Sequence, residues 1–259
     1  MAKVVALQEW IAPAVLVIAG FVAGLVNTIA GGGSFLTIPA LLLAGLDVGD
    51  ANGTNRVAIV LQTATATGVY HRRGALDLSS MNRILPPMLV GAVVGAGLAA
   101  QLSDTWLRGA FGVLFLAMVI VVAARPDMVA EPGGQARPWP VRWLVFCLIG
   151  AYGGFIQAGV GVLFLIGTSA CLGLGLVAAN GVKNAVVFVF TLAALGVFAY
   201  RGQVQWGWGL LLGVGNVAGG YIGAKLAIDK GQRLIRGFVL AVMVLTGARL
   251  LWTAVGGEG

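Results

Sequence analysis

Acid is the scarcest chemistry in this chain. Nine Asp and Glu stand among 259 residues, against 16 Lys and Arg, and charged residues make only 10% of the whole. Soluble domains carry about 25% charged residues, so the chain lacks the polar surface of one. Histidine occurs once, as His71, and cysteine twice, as Cys147 and Cys171. Both cysteines sit in apolar runs and read as small core residues, so no disulfide framework or metal set is expected. No Ser-His-Asp set, Walker loop or intramembrane carboxylate pair is present. That argues against an enzyme, and no cofactor is expected. The net charge of +7 does not indicate nucleic acid, because no basic segment is long enough to form a phosphate-binding face.

What the chain has instead is apolar side chain and glycine. Hydrophobic residues make 59% of it, and mean hydropathy is +0.97. Glycine fills 41 positions, far above the usual level of about 7%. Such helices pack closely and break within a bilayer. The fold class is therefore an all-α polytopic membrane protein, placed in the cell membrane. The run Ile11–Ala30 is too long for a signal sequence and reads as the first helix. Ten apolar segments follow from the pattern: 10–30, 34–46, 51–70, 83–101, 106–124, 141–160, 162–176, 180–200, 206–227 and 233–254. Most approach the 20 or so residues that cross about 30 Å of hydrocarbon.

The polar stretch 125–142 divides two similar halves, giving an N-terminal repeat 1–124, a linker 125–140 and a C-terminal repeat 141–259. Ala30-Gly31-Gly32-Gly33 matches Ala158-Gly159-Val160-Gly161 at a shift of 128, as do Asn52-Gly53 with Asn180-Gly181 and Arg73-Gly74 with Arg201-Gly202. Gly91, Gly95 and Ala99 match Gly215, Gly219 and Gly223 at 124. These small-residue seams read as helix packing. Two duplicated halves of about five segments each are expected, inverted with respect to one another because five is odd. Loop charge agrees. The stretches 71–83, 125–142 and 225–236 are basic, whereas 46–50 and 102–106 carry only acids and 201–205 only Arg201. Ten crossings put the basic stretches on one side, which the positive-inside rule makes cytoplasmic. Trp10, Trp106, Trp139, Trp143, Trp206, Trp208 and Trp252 lie near segment ends, as an interfacial belt requires.

Two motifs carry the candidate chemistry. Asn27-Thr28-Ile29-Ala30-Gly31-Gly32-Gly33-Ser34, with its counterpart Gln157-Ala158-Gly159-Val160-Gly161, interrupts an apolar helix. Broken or re-entrant backbone at membrane depth lines a cavity or is buried in protein. A helix restarting at Ser34 would aim N–H groups and a positive dipole end at an anion, while the plainer reading is a glycine packing contact. The second motif appears twice, as Ala51-Asn52-Gly53-Thr54-Asn55-Arg56 and Ala179-Asn180-Gly181-Val182-Lys183-Asn184. A cation inside an apolar segment is a functional candidate, or else its stem snorkels to the interface. With amides around it and no acid, it is poised for an anionic ligand. The cation shifts one place between halves, so the copies are unequal. Gln62, Thr63, Thr65 and Thr67 line the third segment or bond their own backbone. His71, beside Arg72 and Arg73 at a membrane edge, leaves proton or ion coupling open.

In the order of these elements the chain resembles the sulfite exporter TauE/SafE family of membrane transporters. The resemblance rests on Gly24-Leu25, on Ala30-Gly31-Gly32-Gly33-Ser34-Phe35-Leu36-Thr37-Ile38-Pro39 and on Ala51 to Arg56. It is renewed at Gly154-Phe155-Ile156-Gln157-Ala158-Gly159-Val160-Gly161 and Ala179 to Asn184. It implies a carrier of small anions such as sulfite, organosulfonates or carboxylates, often outward, with about eight crossings in most members. Val160 and Val182 depart from the first half's glycine and threonine. The site expected comprises Asn27, Thr28, Gly31, Gly32, Gly33, Ser34, Asn52, Thr54, Asn55, Arg56, Gln157, Gly159, Gly161, Asn180, Lys183 and Asn184. The expected partners are a small anionic substrate and the lipid bilayer, and no motif specifies an oligomeric state. An anion channel would use the same polar residues and stays open; a membrane factor for sulfur-compound metabolism is the other alternative, against which stands the absence of a nucleophile–base pair or metal set.

Overall fold

The computed structural model describes the backbone of residues 2–113 and 137–254, with side chains over 13–113 and 137–230. Among these residues there are nine helices and no strand: α1 (Ala2–Ile29), α2 (Ser34–Leu43), α3 (Val48–Arg72), α4 (Leu78–Ala99), α5 (104–113), α6 (Trp139–Phe155), α7 (Val160–Leu172), α8 (Leu176–Tyr200) and α9 (Trp206–Ala254). The all-α class holds. Most of the linker 125–140, most of the segment 106–124 and the side chains of Trp10, Arg233, Arg236 and Trp252 lie outside the described residues.

One expectation is corrected. Segments 206–227 and 233–254 are not separate, because α9 runs unbroken through 225–236. Between Ala224 and Arg236 the chain is mostly Lys, Ala, Leu, Gln, Arg and Ile with no proline and only Gly231. Strong helix formers propagate the helix through a charged stretch that reads as a loop by polarity alone.

Leu78–Ala99, Leu176–Tyr200 and Trp206–Lys230 are long and apolar enough to cross a membrane. α3 is as long as α8 but spends its length on polar residues that face inward, from Asn52 and Arg56 to Gln62 and Thr63.

Glycine decides which helices meet. A Cβ on Gly91 or Gly95 would lie 2.0 Å from the carbonyl oxygen of Cys147 or Ala151, and one on Gly150 or Gly154 would run into Met88 or Ala92. α4 and α6 therefore lie parallel, backbone against backbone. The same contact joins α1 to α9, through Gly20 and Gly24 on one side and Gly215 and Gly219 on the other. Small residues at i and i+4 allow this approach. Each half thus lends a helix to the other: α4 packs on α6 and α8, while α9 packs on α1 and α3.

α3 and α8 pack on one another and run antiparallel. Gly53, near the start of α3, approaches Gln203 just past the end of α8, and Gly181 approaches Ala75 and Tyr70 at the end of α3. The charged stretches segregate accordingly. Arg73 pairs with Asp229 at 3.5 Å, and Arg83 and Arg142 line one cavity, so three basic stretches share an end of the bundle. At the other end the Gly49 N–H donates to Asp104 (2.9 Å) and the Gln205 amide to Asp50 (3.1 Å).

α4 begins at a capped turn. Asp77 accepts from the Ser80 N–H (3.1 Å) and from the Ser80 hydroxyl (2.6 Å). These bonds, the hydroxyl first, hold the Asp77 carboxyl below its ordinary range. Because the folded form favours the carboxylate, the cap contributes above the unfolded value of about 3.9 and is lost as pH falls through the lower folded value. Asp77→Ala should cost about 1 kcal/mol at pH 7. Melting curves of the variant and the parent should converge as the pH falls below about 4.

Candidate functional site

The two breaks meet at the middle of the bundle. α1 ends at Ile29 and α2 starts at Ser34, while α6 ends at Phe155 and α7 starts at Val160. Gly31 takes φ +93°, and a Cβ there would lie 2.3 Å from Gly161 Cα. Only glycine fits a left-handed turn pressed against another backbone. Gly159 takes φ +76° as the residue before α7, and Gln157 takes φ +66°, an uncommon conformation for a side chain of its size.

Each break leaves a helix C-terminus buried, with carbonyls that need donors. The twin motif supplies them, crosswise. At the end of α6, Arg56 Nη1 donates to Gly153 O (3.2 Å) and to Gln157 Oε1 (2.9 Å), and Nη2 donates to Gly154 O. Asn52 Nδ2 donates to Phe155 O, the last carbonyl of the helix, at 2.8 Å. At the end of α1, Lys183 Nζ donates to Asn27 O (3.0 Å) and Thr28 O (2.9 Å). Asn180 Nδ2 donates to Ile29 O, again the last carbonyl, at 3.3 Å. A cation at a helix C-terminus also meets a dipole end worth about half a negative charge. The guanidinium of Arg56 further stacks 4.6 Å from the Phe198 ring centroid.

The expected site residues therefore fall into two clusters, one at each break. Asn52, Arg56 and Gln157 form the first, with Gln157 Nε2 donating to Thr191 Oγ1 (3.0 Å). Beside it, Asn55 accepts from the Thr37 hydroxyl (2.7 Å) and donates to Ser34 Oγ (3.2 Å). Asn27, Thr28, Asn180, Lys183 and Asn184 form the second. Gln62 ties it together, accepting from Asn27 Nδ2 (2.7 Å) and donating to Thr28 Oγ1 (2.7 Å) and Asn184 Oδ1 (3.4 Å). Gly31 and Gly161 separate the clusters. Thr54 is apart from both, its hydroxyl accepting from the Gln205 N–H at 2.9 Å. The carbonyls of Gly32 and Gly33 accept from the N–H groups of Phe35, Leu36 and Thr37 in the first turn of α2.

Sequence reasoning missed Thr37, Thr191, Phe198 and Tyr70, whose hydroxyl accepts from Asn180 Nδ2 at 3.1 Å. No signal marks Thr37 or Thr191 beyond a hydroxyl in an apolar run. Thr63 and Thr65 bond the carbonyls of Ile59 and Leu61 in their own helix. The buried polar set among the described residues holds Arg56 and Lys183 and no Asp or Glu. Arg56 Nε and Asn180 Oδ1 are buried without a partner.

A family profile described as sulfite exporter TauE/SafE matches residues 16–250. The chain belongs to this family. Among curated relatives, a probable membrane transporter protein ORF9 of Sinorhizobium sp is 32% identical over 92% of each chain. A probable membrane transporter protein of Haemophilus influenzae is 29% identical over 92% of this chain and 94% of its own. Escherichia coli YfcA, also named a probable membrane transporter, is 28% identical over 94% and 91%. No solved structure matches the chain. TauE/SafE membership and the apolar helices make this a multi-pass membrane transporter.

Proposed function

We propose that the chain is a secondary transporter of small anions, sulfite, organosulfonates or related sulfur and carboxylate anions, exporting them by alternating access. The observation that carries this is a buried polar core that holds, among the described residues, two cations and no carboxylate. Two helix C-termini offset about half a charge each, so roughly one positive charge is left for a ligand. An oxyanion accepts more strongly than a peptide carbonyl. It would draw Arg56 or Lys183 from its helix end, with the unpartnered Arg56 Nε as the first donor within reach. The amides around each cation would orient its oxygens.

The moving parts in this reading are not the two sequence halves. Because α4 and α9 are exchanged, one body is α1, α2, α3 and α9, and the other α4, α6, α7 and α8. They would rock along the α3–α8 contact, in the manner of repeat-built carriers. The basic end of the bundle is taken as cytoplasmic.

Purified protein in liposomes is expected to take up labelled sulfite or a small sulfonate saturably, and to show counterflow exchange. Flux without saturation or counterflow would make it a channel. Folded protein that moves neither anion would overturn the reading.

A further inference from the structure

A second positively charged site lies away from both breaks. A cavity of about 280 Å³ opens where α4 and α6 begin, lined by Asn82, Arg83, Trp139, Arg142, Trp143 and the apolar floor of Phe146. It lies where the parallel helices α4 and α6 start side by side. Below, Gly91 and Gly150 bring the backbones together and close it. Arg142 Nε is buried there without a partner. Neither arginine forms an ion pair among the described residues, where Arg73–Asp229 is the pair present. Two arginines and one asparagine thus line the cavity, with no acid in its lining.

A stripe leads out of the cavity along α4. Stepping three or four residues at a time from Arg83 through Pro86, the same helix face carries Val90, Val93, Val94 and Leu98. They are 49%, 43%, 55% and 57% exposed, on a helix long and apolar enough to cross a membrane. The cavity is thus continuous with a lipid-facing strip of valine. Trp139 and Trp143 sit at its mouth, the position that interfacial indoles take.

We propose that this cavity binds the headgroup phosphate of an anionic phospholipid, whose acyl chain lies along Val90, Val94 and Leu98. Arginine forks match phosphate oxygens. Basic pockets between membrane helices on the cytoplasmic side are the physical setting for such headgroups. A free phosphate would use the arginines alone; the lipid uses the valine strip as well. Occupancy would brace α4 against α6 within one body and leave the α3–α8 contact free.

The test uses the full-length protein in a neutral detergent, with native mass spectrometry and thermal melting as readouts. Phosphatidylglycerol and cardiolipin are expected to stay bound and to raise Tm, whereas phosphatidylcholine does neither. Arg83→Gln plus Arg142→Gln should weaken retention about 30-fold, or roughly fivefold per arginine. Arg83 is exposed, so the single Arg83→Gln variant folds and keeps the test decisive if the double variant does not. Arg108→Gln, at the opposite end of the bundle, should change nothing. Equal retention by parent and Arg83→Gln proteins would overturn the proposal. So would inorganic phosphate raising Tm as far as phosphatidylglycerol, which would make the ligand a free anion.

Discussion

Arg56→Met is expected to lower the melting temperature of the detergent-purified protein by about 10 °C. The substitution keeps an apolar stem and removes the guanidinium donors at the end of α6, leaving Asn52 on the last carbonyl. Gly153 O, Gly154 O and Gln157 Oε1 then have lost their Arg56 donors inside the bundle. Leaving a buried acceptor without its donor costs roughly 1–3 kcal/mol, and each kcal/mol shifts Tm by about 2–4 °C in a chain of this size. Lys183→Met uncovers two carbonyls instead of three acceptors, so about two-thirds of the effect is expected. Arg56→Lys should recover only part of the loss, because an ammonium does not reproduce the planar fork over Phe198. Added sulfite should raise the Tm of the parent and fail to raise that of either Met variant. A variant that melts within about 1 °C of the parent would mean that the cation does not cap the helix, since each kcal/mol of cap would show as a larger shift.

The twin cations were legible in the sequence; their partners were not. A guanidinium in an apolar run, with amides and no acid nearby, announces that it must be neutralised. The carbonyls that do so belong to Asn27, Thr28, Gly153 and Gly154, and a peptide carbonyl has the same letter everywhere. The sequence therefore suggested the N-terminus of α2 as the anion-facing element, whereas the structure brings the C-termini of α1 and α6 to the cations. The glycine seams were readable because Gly91 and Gly95, four apart and repeated at Gly215 and Gly219, serve close approach and little else. Which helix each seam meets was not, since nothing in the order of segments says that α4 crosses to α6 and α9 to α1. The continuity of α9 was hidden for a different reason. Lys225, Asp229 and Lys230 make a charged interval that hydropathy scores as a loop, although Lys225, Leu226, Ala227 and Lys230 are strong helix formers.

Gly31→Ala is expected to abolish recovery of monodisperse protein. Two costs add at this position. φ is +93°, a region that costs a side chain of order 1–3 kcal/mol. The new methyl would also stand 2.3 Å from Gly161 Cα and 2.6 Å from its carbonyl carbon, and inserting a carbon into packed backbone costs about 1–3 kcal/mol more. Together these approach the 5–15 kcal/mol that holds a domain folded. Gly161→Ala separates the terms. It meets Gly31 Cα at 2.4 Å but carries no left-handed backbone, so it should fold with a lowered Tm. Gly196→Ala, where a Cβ meets nothing within 4 Å inside α8, should stabilise by up to about 1 kcal/mol. Gly31 belongs to the body of α1, α2, α3 and α9, and Gly161 to the body of α4, α6, α7 and α8. In the proposed alternating-access cycle, their contact is where the two bodies would slide past one another without side chains to catch. In Gly161→Ala protein, anion flux should therefore fall further than stability does. Flux that tracks Tm would make the crossing a packing contact and nothing more.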